Sequence, residues 1–402
     1  MLTGREAPAP TAAPVLRGRL ELLVLQPTPF CNINCSYCYL PDRQSTRRMS
    51  AATLDRIFGW IFDSGLVRDP FTLLWHAGEP LVLPVTFYET ASELLSRHNG
   101  DGIPVLQSFQ TNATLIDAGW CAFLRRPNLH LGVSVDGPDF LHDRYRRTRQ
   151  GRGTLDRVLQ GIHLLHEHHI PFDVITVLTA DALAYPDELF DFYRANGIGS
   201  VAFNVEEIEG PHTASSLQRA GTPERFRRFL TRFLTLARSA EPPLLVREFE
   251  TSAAALLGRR RCGPDTRTQE NKPWAIVNVD CEGNFSTYSP ELLGMPSPTH
   301  GGFTLGNVNT DSLEAVIASA RFRQLEDEIG RGVEMCRESC SYFPFCGGGP
   351  PANKFFENGT FASTETMFCR LHKKVCIDVS LERLEQSAKS AGAASHHEQA
   401  SV

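Results

Sequence analysis

The sequence of 402 residues has 42% hydrophobic residues, 21% charged residues and a formal net charge of −6. This length favours two domains over one core, and the composition is that of an ordinary globular protein. The negative charge gives no electrostatic support for nucleic-acid binding. No apolar run approaches the roughly 20 residues that a membrane-spanning helix needs. We therefore expect a cytoplasmic protein that binds neither nucleic acid nor a membrane.

The two ends of the sequence have the composition of disordered segments. Residues 1–18 are rich in Ala and Pro and lack the apolar core of a signal peptide. Residues 386–402 consist mainly of small and polar residues. The folded part is therefore predicted to lie between residues 19 and 385.

Short apolar runs alternate with amphipathic segments through the first half of the sequence. The apolar runs predict strands at residues 20–26, 71–75, 105–111, 129–135, 172–178 and 200–205. The amphipathic segments predict helices at residues 50–64, 85–97, 116–125, 155–169, 186–195 and 222–239. This alternation indicates βαβ units and a parallel sheet. We expect an α/β fold with a partial (β/α)6 barrel over residues 19–240, whose chemistry lies in the loops after the strands.

The pattern changes near residue 241, where a second domain, residues 241–385, is predicted to begin. This part is rich in loops, with Gly-Asn and Gly-Gly turns and a short strand at 275–279. Seven of the eleven cysteines lie beyond residue 260, and three lie between residues 31 and 38. In a chain without a secretory signal, clustered cysteines are more often metal ligands or redox groups than disulfides. We expect metal, rather than a large apolar core, to stabilise the second domain.

Three cysteines follow the first predicted strand in the motif Cys31-Asn-Ile-Asn-Cys35-Ser-Tyr-Cys38. Thiolates this close together can ligate three irons of a [4Fe–4S] cluster. No further cysteine occurs in the next 80 residues, so one iron would stay open to a small molecule, as in catalytic metal centres. A structural zinc site is the alternative, although zinc sites usually combine two paired ligand units.

The spacing Cys-x3-Cys-x2-Cys, with Tyr37 before the last cysteine, resembles the defining motif of the radical S-adenosylmethionine (radical SAM) enzymes. The resemblance implies that the open iron chelates the amino and carboxylate groups of SAM. It also implies that an electron, from a donor such as flavodoxin or ferredoxin, cleaves SAM to methionine and a 5′-deoxyadenosyl radical. The protein would then orient the reactants and exclude water, while the cofactors supply the reactivity.

Further segments resemble the SAM site of this family at the ends of successive predicted strands. Trp75-His76-Ala77-Gly78-Glu79-Pro80 resembles the GGEP motif, with alanine in place of its first glycine. The glycine would let backbone approach the methionine amino group, and the carboxylate would complement its charge. Arg144 belongs to an arginine-rich stretch, 144–152, that is otherwise typical of a solvated surface. The resemblance assigns SAM contacts to Tyr37, Gly78, Glu79, Asn112, Ser134, Asp136 and Arg144.

The second domain resembles the SPASM extension of peptide-modifying radical SAM enzymes, which carries auxiliary [4Fe–4S] clusters. Four cysteines would ligate one such cluster, with four-cysteine structural zinc as the alternative. They are Cys336, Cys340, Cys346 and Cys369. Cys262 and Cys281 would belong to a second cluster, but the usual ligand four positions beyond Cys346 is replaced. The sequence thus predicts one or two auxiliary clusters.

Two longer stretches resemble a narrower group, the cyclophane-forming SPASM peptide maturases of glycine-rich-repeat precursors (the GrrM/OscB group). These stretches are NVEEIEG at 204–210 and CGGGPPANKFFENGTFASTETMFCR at 346–370. The resemblance implies hydrogen abstraction from a Cβ of a ribosomal precursor peptide, and bonding of that carbon to a nearby aromatic ring. An auxiliary cluster would take the surplus electron. Asp280, Glu206 and Glu207 are the candidate acceptors of the ring proton.

Two other functions fit the same motifs. A sulfatase-maturase-like enzyme, which oxidises Ser or Cys to formylglycine, shares the Trp-His-x-Gly-Glu-Pro and Gln-Thr-Asn patterns. A non-catalytic iron–sulfur or zinc protein would share the cysteines without cleaving SAM. Since only about 18 residues precede the first predicted strand, the precursor leader is expected to bind a separate recognition protein or an exposed sheet edge.

Overall fold

The computed structural model describes residues 18–259 and 267–399, and the side chains of 390–399 are not considered. Residues 1–17, Cys262 and residues 400–402 therefore lie outside the described part of the chain. Within that part the strands are β1 (Leu22–Leu25), β2 (Phe71–Trp75), β3 (Val105–Thr111), β4 (Leu129–Ser134), β5 (Asp173–Leu178), β6 (Ser200–Val205), β7 (Leu245–Val246), β8 (Ile276–Val279), β9 (Asn284–Thr287) and β10 (Gly306–Asn307).

The helices fall into two sets. The first set follows the strands of the predicted barrel: α1 (Ala51–Asp63), α2 (Val85–His98), α3 (Ala118–Leu124), α4 (Asp139–Tyr145), α5 (Leu155–Glu167), α6 (Pro186–Ala195) and α7 (Thr222–Ser239). The second set is α8 (Arg247–Leu256), α9 (Leu313–Ile317), α10 (Ala320–Ser339), α11 (Phe343–Cys346), α12 (Pro351–Asn358) and α13 (Cys376–Gln399). No helix in the described residues combines the length and hydropathy that a membrane crossing requires.

All ten strands form one sheet in the order β10-β9-β8-β1-β2-β3-β4-β5-β6-β7. Strands β1 to β6 are parallel and lie in chain order, which confirms the six predicted strands and the partial barrel. Strands β7 and β8 add in parallel at opposite edges of this set, and β9 and β10 continue antiparallel beyond β8. Because parallel strands point the same way, the loops after β1 to β6 all emerge at one edge of the sheet.

Local signals explain why these elements begin where they do. The Ser50 side chain caps α1 by accepting a 3.0 Å hydrogen bond from Thr53 N. Proline occupies the first turn of α6, where its missing N–H costs nothing. Aromatic side chains then fill the space between the sheet and its helices, with the Tyr88 ring 4.9 Å from Phe109 and 5.0 Å from Trp75.

The region after residue 241 contains more helix and more apolar core than its turn-rich sequence predicts. Helix α10 alone has 20 residues, and its buried positions Phe322, Leu325, Ile329 and Val333 recur at helical spacing. Trp274 and Phe285 belong to the same buried cluster as the barrel residues. The expectation of a region stabilised mainly by metal is therefore wrong, since apolar packing continues into it from the barrel.

The final helix differs from the predicted disorder at residues 386–402. Helix α13 extends to Gln399 and so covers most of that segment. Its first turns are anchored, because Cys376 and Val379 are buried in the core. The Ala-, Glu- and Lys-containing sequence that follows has high helix propensity, so propagation from this anchored start is favourable.

Candidate cluster and cofactor site

The loop that carries the first three cysteines is attached to the segment that follows α4. Asn34 N donates to Arg147 O at 2.7 Å, and Ser36 N donates to Tyr145 O at 3.0 Å. Ile33 also forms an antiparallel bridge with Thr148. The two segments thus form a short ribbon, and the backbone of the cysteine loop is held from one side.

Two arginines bind the carbonyl groups of this loop. The Arg149 guanidinium donates two hydrogen bonds to Cys31 O, at 2.9 and 2.7 Å. Arg43 donates to Cys35 O at 2.8 Å. The arginine-rich stretch 144–152 therefore supports the cysteine loop, rather than forming only a solvated surface. Its positive charge lies where thiolates and a cluster would bring negative charge.

The three thiols lie close enough to interact electrostatically, with Cys35 buried and Cys31 and Cys38 half-buried. Burial, with a smaller contribution from the Glu79 charge, raises the pKa of Cys31 to about 12. Burial also raises the pKa of Cys35 to about 11, although the Arg146 charge opposes this shift. In the described residues, no three Cys, His, Asp or Glu side chains converge closely enough to share a single metal ion. The arrangement fits an iron–sulfur cluster, in which each iron takes its own thiolate.

The segment after β2 packs directly on the chain that leads to Cys31. Gly78 has a φ of +68°, and a Cβ at this position would lie 2.3 Å from Thr28 O and 2.6 Å from Phe30 O. The next residue, Glu79, donates its N–H to Phe30 O at 2.8 Å. Only glycine allows this approach, so Gly78 fixes the distance between the two loops.

The Glu79 carboxylate is fully engaged inside the protein. It accepts hydrogen bonds from Leu81 N at 3.0 Å, Thr111 Oγ1 at 2.6 Å and Asn112 N at 2.8 Å. Burial raises its pKa to about 7. Glu79 thus joins the loops after β2 and β3, a structural role that the motif alone did not predict. The predicted contact with the SAM ammonium stays a prediction.

Asn112 directly follows β3, and Ser134 is the last residue of β4. The two side chains differ in whether they contact the cysteine loop. Asn112 donates to Asn32 Oδ1 at 2.9 Å, and its Nδ2 lies 3.8 Å from Cys31 Sγ. Ser134 Oγ accepts a 2.8 Å hydrogen bond from Gln110. Of the two, Asn112 contacts the cysteine loop itself.

Asp136 forms a buried ion pair with Arg146. Its oxygens accept hydrogen bonds from Arg146 at 2.9 and 3.1 Å, from Val177 N at 3.0 Å and from the Tyr37 hydroxyl. Burial alone would raise the pKa of Asp136, but the charges of Arg146 and His142 and the hydrogen bonds from Arg146 and Tyr37 together outweigh it and lower the pKa. Four donors therefore engage the carboxylate, and the ion pair positions Tyr37. The predicted contact of Asp136 with SAM stays a prediction.

The structure favours Arg146 over Arg144 for a role near the thiols. Arg144 forms an ion pair with Asp181 at 2.8 Å, and its side chain is 60% exposed. Arg146 is buried, and its guanidinium lies 5.5 Å from the Tyr37 ring centre. The sequence contains five arginines between 144 and 152 and gives no signal that separates them.

Two of the three candidate proton acceptors, Asp280 and Glu206, accept hydrogen bonds from nearby backbone N–H groups. The Asp280 carboxylate accepts from Glu282 N at 2.8 Å and from Asn284 N at 3.0 Å, within the β8–β9 hairpin. Glu206 accepts from Ser216 N at 2.8 Å and lies 3.4 Å from His212 Nε2. Both carboxylates shape the local backbone, so neither is the better candidate.

The third candidate, Glu207, belongs to a buried carboxyl pair with Glu209. A hydrogen bond joins the two side chains, and Asn353 donates to Glu207 Oε2 at 2.6 Å. Burial, together with the charges of Glu291 and Glu357, raises the pKa of Glu207 to about 7 against the lowering effect of the Asn353 hydrogen bond. Burial and the Glu207 charge raise the pKa of Glu209 well above its usual value.

This carboxyl pair lies beside the cysteine loop. The neighbouring Gly210 packs so closely that a Cβ there would be 2.4 Å from Tyr39 O. Tyr39 directly follows Cys38, and its hydroxyl forms a 3.1 Å hydrogen bond with His76 Nε2. A proton-accepting group is therefore available close to the predicted cluster.

The second cysteine set lines a single cavity of about 200 Å³. The cavity contains all four predicted ligands, Cys336, Cys340, Cys346 and Cys369, together with Lys354 and Lys374. Cys281 is buried at the β8–β9 hairpin and does not line this cavity. Four thiols around one cavity fit a fully ligated cluster.

A search against protein families matches residues 25–193 to the radical SAM superfamily. The chain is 42% identical over 374 residues to the uncharacterized protein sll1766 of Synechocystis sp., covering 92% of this chain and 93% of that protein. It is 27% identical over 369 residues to a serine-type anaerobic sulfatase-maturating enzyme of Bacteroides thetaiotaomicron, covering 86% of each chain.

Two solved structures share the fold. One is native anSMEcpe with bound AdoMet and Cp18Cys peptide, with a TM-score of 0.75, 19% identity and coverage of 92% of this chain and 99% of that one. The other is Streptococcus suis SuiB bound to precursor peptide SuiA, with a TM-score of 0.60, 18% identity and coverage of 89% and 76%. The likeness extends over both the barrel and the region after it.

Proposed function

The chain belongs to the radical SAM superfamily and is a SAM-dependent iron–sulfur enzyme, and from this premise we propose that it is a peptide maturase. In this proposal it forms a C–C crosslink, a cyclophane, between an aromatic side chain and a nearby Cβ of a glycine-rich ribosomal precursor. Cys31, Cys35 and Cys38 ligate the [4Fe–4S] cluster that leaves one iron open. When bound, this cluster and SAM supply a 5′-deoxyadenosyl radical.

The contact between Asn353 and Glu207 carries this proposal. The two stretches that resemble cyclophane-forming maturases, 204–210 and 346–370, lie 136 positions apart in the sequence, from position 210 to position 346. The 2.6 Å hydrogen bond from Asn353 to Glu207 joins them in space. They meet beside Tyr39, next to the cysteine loop. Such a meeting supports a shared role in holding substrate and moving a proton near the cluster.

Glu207 is the proposed acceptor of the ring proton. Crosslinking removes one hydrogen atom from the Cβ, and then one proton and one electron from the aromatic ring as it regains aromaticity. A carboxylate whose pKa is raised to about 7 can take that proton at neutral pH. Glu209, hydrogen-bonded to Glu207, shares the proton and disperses the charge.

The electron needs a second acceptor. We assign this role to an auxiliary cluster on Cys336, Cys340, Cys346 and Cys369, whose thiols line one cavity. Cys281 and Cys262 remain candidates for a further cluster, and Cys262 lies outside the described residues. A flavodoxin or ferredoxin would return electrons to the first cluster for the next turnover.

A peptide substrate is consistent with two solved structures of similar fold. SuiB was solved bound to precursor peptide SuiA, and anSMEcpe was solved with a bound peptide. In this chain the sheet edges β7 and β10 are each two residues long in the described part. A leader would add as a strand at one of these edges, or bind a separate recognition protein.

Co-expression with a neighbouring glycine-rich precursor tests the proposal. Each crosslink should lower the peptide mass by two hydrogens, and tandem mass spectrometry should show no fragmentation between the joined residues. Deuterium at the target Cβ should appear in 5′-deoxyadenosine. Unmodified peptide, despite SAM cleavage and a bound leader, would contradict a peptide maturase.

Formylglycine formation is the second candidate, because the Bacteroides relative is a serine-type anaerobic sulfatase-maturating enzyme. From serine this reaction also removes two hydrogens, so for a serine substrate mass alone does not separate the two functions. Hydrazine traps an aldehyde but leaves a C–C crosslink unchanged. A hydrazone on a Ser or Cys position of the substrate would therefore replace the crosslinking proposal.

A further inference from the structure

Lys354 is a buried cation in direct contact with a predicted cluster ligand. Its side chain lies in the cavity lined by the four cysteines, and the residue is only 4% exposed. The ammonium donates to Gly332 O at 2.8 Å and lies 3.4 Å from Cys336 Sγ. These partners are one turn apart on α10, so Lys354 bridges a helix carbonyl and a thiol.

The helix is shaped to admit this side chain. A Cβ at Gly332 would lie 2.0 Å from Phe361 O and 3.3 Å from Lys354 Nζ. Glycine in the interior of a helix is unfavourable relative to alanine. Here it opens the surface of α10 so that the ammonium reaches the backbone and Cys336 together.

The Lys354 charge has no carboxylate partner among the residues that the structure describes. Burying an ammonium without a counter-charge is unfavourable. Lys374, which lines the same cavity, differs because it forms an ion pair with Glu365 and its side chain is 26% exposed. The charge that balances Lys354 must therefore come from the cavity itself, and deprotonated thiolates around a cluster would supply it.

We propose that Lys354 is a positioning residue that raises the reduction potential of the cluster held by Cys336, Cys340, Cys346 and Cys369. This inference rests on the proposed assignment of that cluster. A four-thiolate cluster becomes more negative when it is reduced, and a cation at one ligand stabilises the reduced form more than the oxidised form. Lys354 thereby makes the cluster a better acceptor for the electron that leaves the substrate ring.

The test is a redox titration followed by EPR spectroscopy. The parent protein carries Cys31→Ala, Cys35→Ala, Cys38→Ala and Cys281→Ala, so that the signal comes from the remaining four-cysteine set. Lys354→Met should lower the equilibrium constant for reduction at least tenfold, which is 59 mV for one electron. Lys374→Met is the matched control and should shift the potential less, because its charge is already paired and partly solvated.

Two further variants separate charge from folding. Lys354→Gln keeps a hydrogen-bond donor without the charge and should lower the potential as Lys354→Met does. Lys354→Arg keeps the charge and should retain most of the parent potential. Iron and sulfide analysis of each protein accompanies the titration. A loaded cluster whose potential is the same with Met, Gln and Lys at 354 would overturn the inference, whereas a parent without iron at these cysteines would overturn the cluster assignment.

Discussion

Asp136 and Arg146 form an ion pair whose side chains are 4% and 8% exposed. The pair also receives the Tyr37 hydroxyl, so it connects the cysteine loop with the ends of β4 and β5. At the scale of single residues, burial therefore distinguishes this pair from the exposed Arg144–Asp181 pair two residues away. The two pairs have the same chemistry but a different solvent environment.

Arg146→Met should lower the free energy of unfolding by about 3–5 kcal/mol, because it leaves the Asp136 carboxylate buried and unpaired. Arg144→Met is the control, and it should cost at most about 1 kcal/mol because its pair is exposed. Denaturant unfolding of both variants measures the difference. Equal effects would show that the Asp136 pair is not essential for folding.

Glu207→Gln should reduce crosslinking about 10²–10⁴-fold, the usual contribution of a general base, while 5′-deoxyadenosine formation continues. In the unmodified enzyme the crosslinking rate should rise as the pH passes through about 7, because burial raises the Glu207 pKa to that value and the ionised form is the base.

The raised pKa of Glu207 also means that the folded state favours the neutral carboxyl group. Its contribution to stability is therefore present at acidic pH and is lost as the pH rises through about 7.

Asp280→Asn provides the matched control, since this carboxylate holds the β8–β9 turn. It should retain crosslinking and the same pH profile. Glu291 and Glu357 face the Glu207–Glu209 pair and affect its titration, so their Gln variants should move the pH midpoint downward. Loss of crosslinking in Asp280→Asn with full activity in Glu207→Gln would reverse the assignment.

Spacing in the sequence was sufficient to predict the cysteine loop but not its supporting residues. Three cysteines within eight residues constrain each other through the chain itself. Arg146, Arg149 and Asn353 act through tertiary contacts, and no local pattern distinguishes them from solvated neighbours. The same reason explains why the sequence did not indicate the internal hydrogen bonds of Glu79 and Asp136.

At the scale of elements, strands of the barrel were easier to predict than helices of the second region. Strands β2, β3 and β6 match the predicted bounds, because each contains apolar residues that the sheet buries and that stand out in the sequence. Helix α10 was missed since its apolar positions are separated by charged residues and two glycines. Gly332 lets the helix pack closely against Phe361 and Lys354, so packing determines this position more than helix propensity does.

Gly332→Ala should destabilise the protein by about 1–3 kcal/mol, because the new methyl group would meet Phe361 O at 2.0 Å. Gly330→Ala, on the same helix, meets no atom within 4 Å and should stabilise it by about 0.4–1 kcal/mol. Thermal unfolding of the two variants gives shifts of opposite sign. Stabilisation by both alanines would mean that α10 and the 361 backbone are not in close contact.

At the scale of the whole molecule, we expect the main apolar core and the four-cysteine cavity to contribute to stability separately. Cys369→Ala should release iron from the four-cysteine cavity and increase hydrogen exchange in α11 and α12. These two helices lie in the sequence between the predicted ligands Cys340 and Cys369, so the cluster would hold them in place. Strands β2 to β5 should keep their protection because their core does not include that cavity. Hydrogen-exchange mass spectrometry with and without iron checks this. Deprotection of the entire sheet would indicate that the cluster supports the global fold.

The position of β8 beside β1 has a consequence for how relatives of this enzyme can be recombined. Leu22–Leu25, an apolar strand, hydrogen-bonds to β2 on one side and to β8 on the other. A chain cut near residue 241 would leave this strand as an open, hydrophobic edge, which favours aggregation. The second region is therefore not an interchangeable cassette. A hybrid of two such enzymes has to take β1 and β8 from one parent. Otherwise it has to preserve the packing between the paired residues of Leu22–Leu25 and Ile276–Val279.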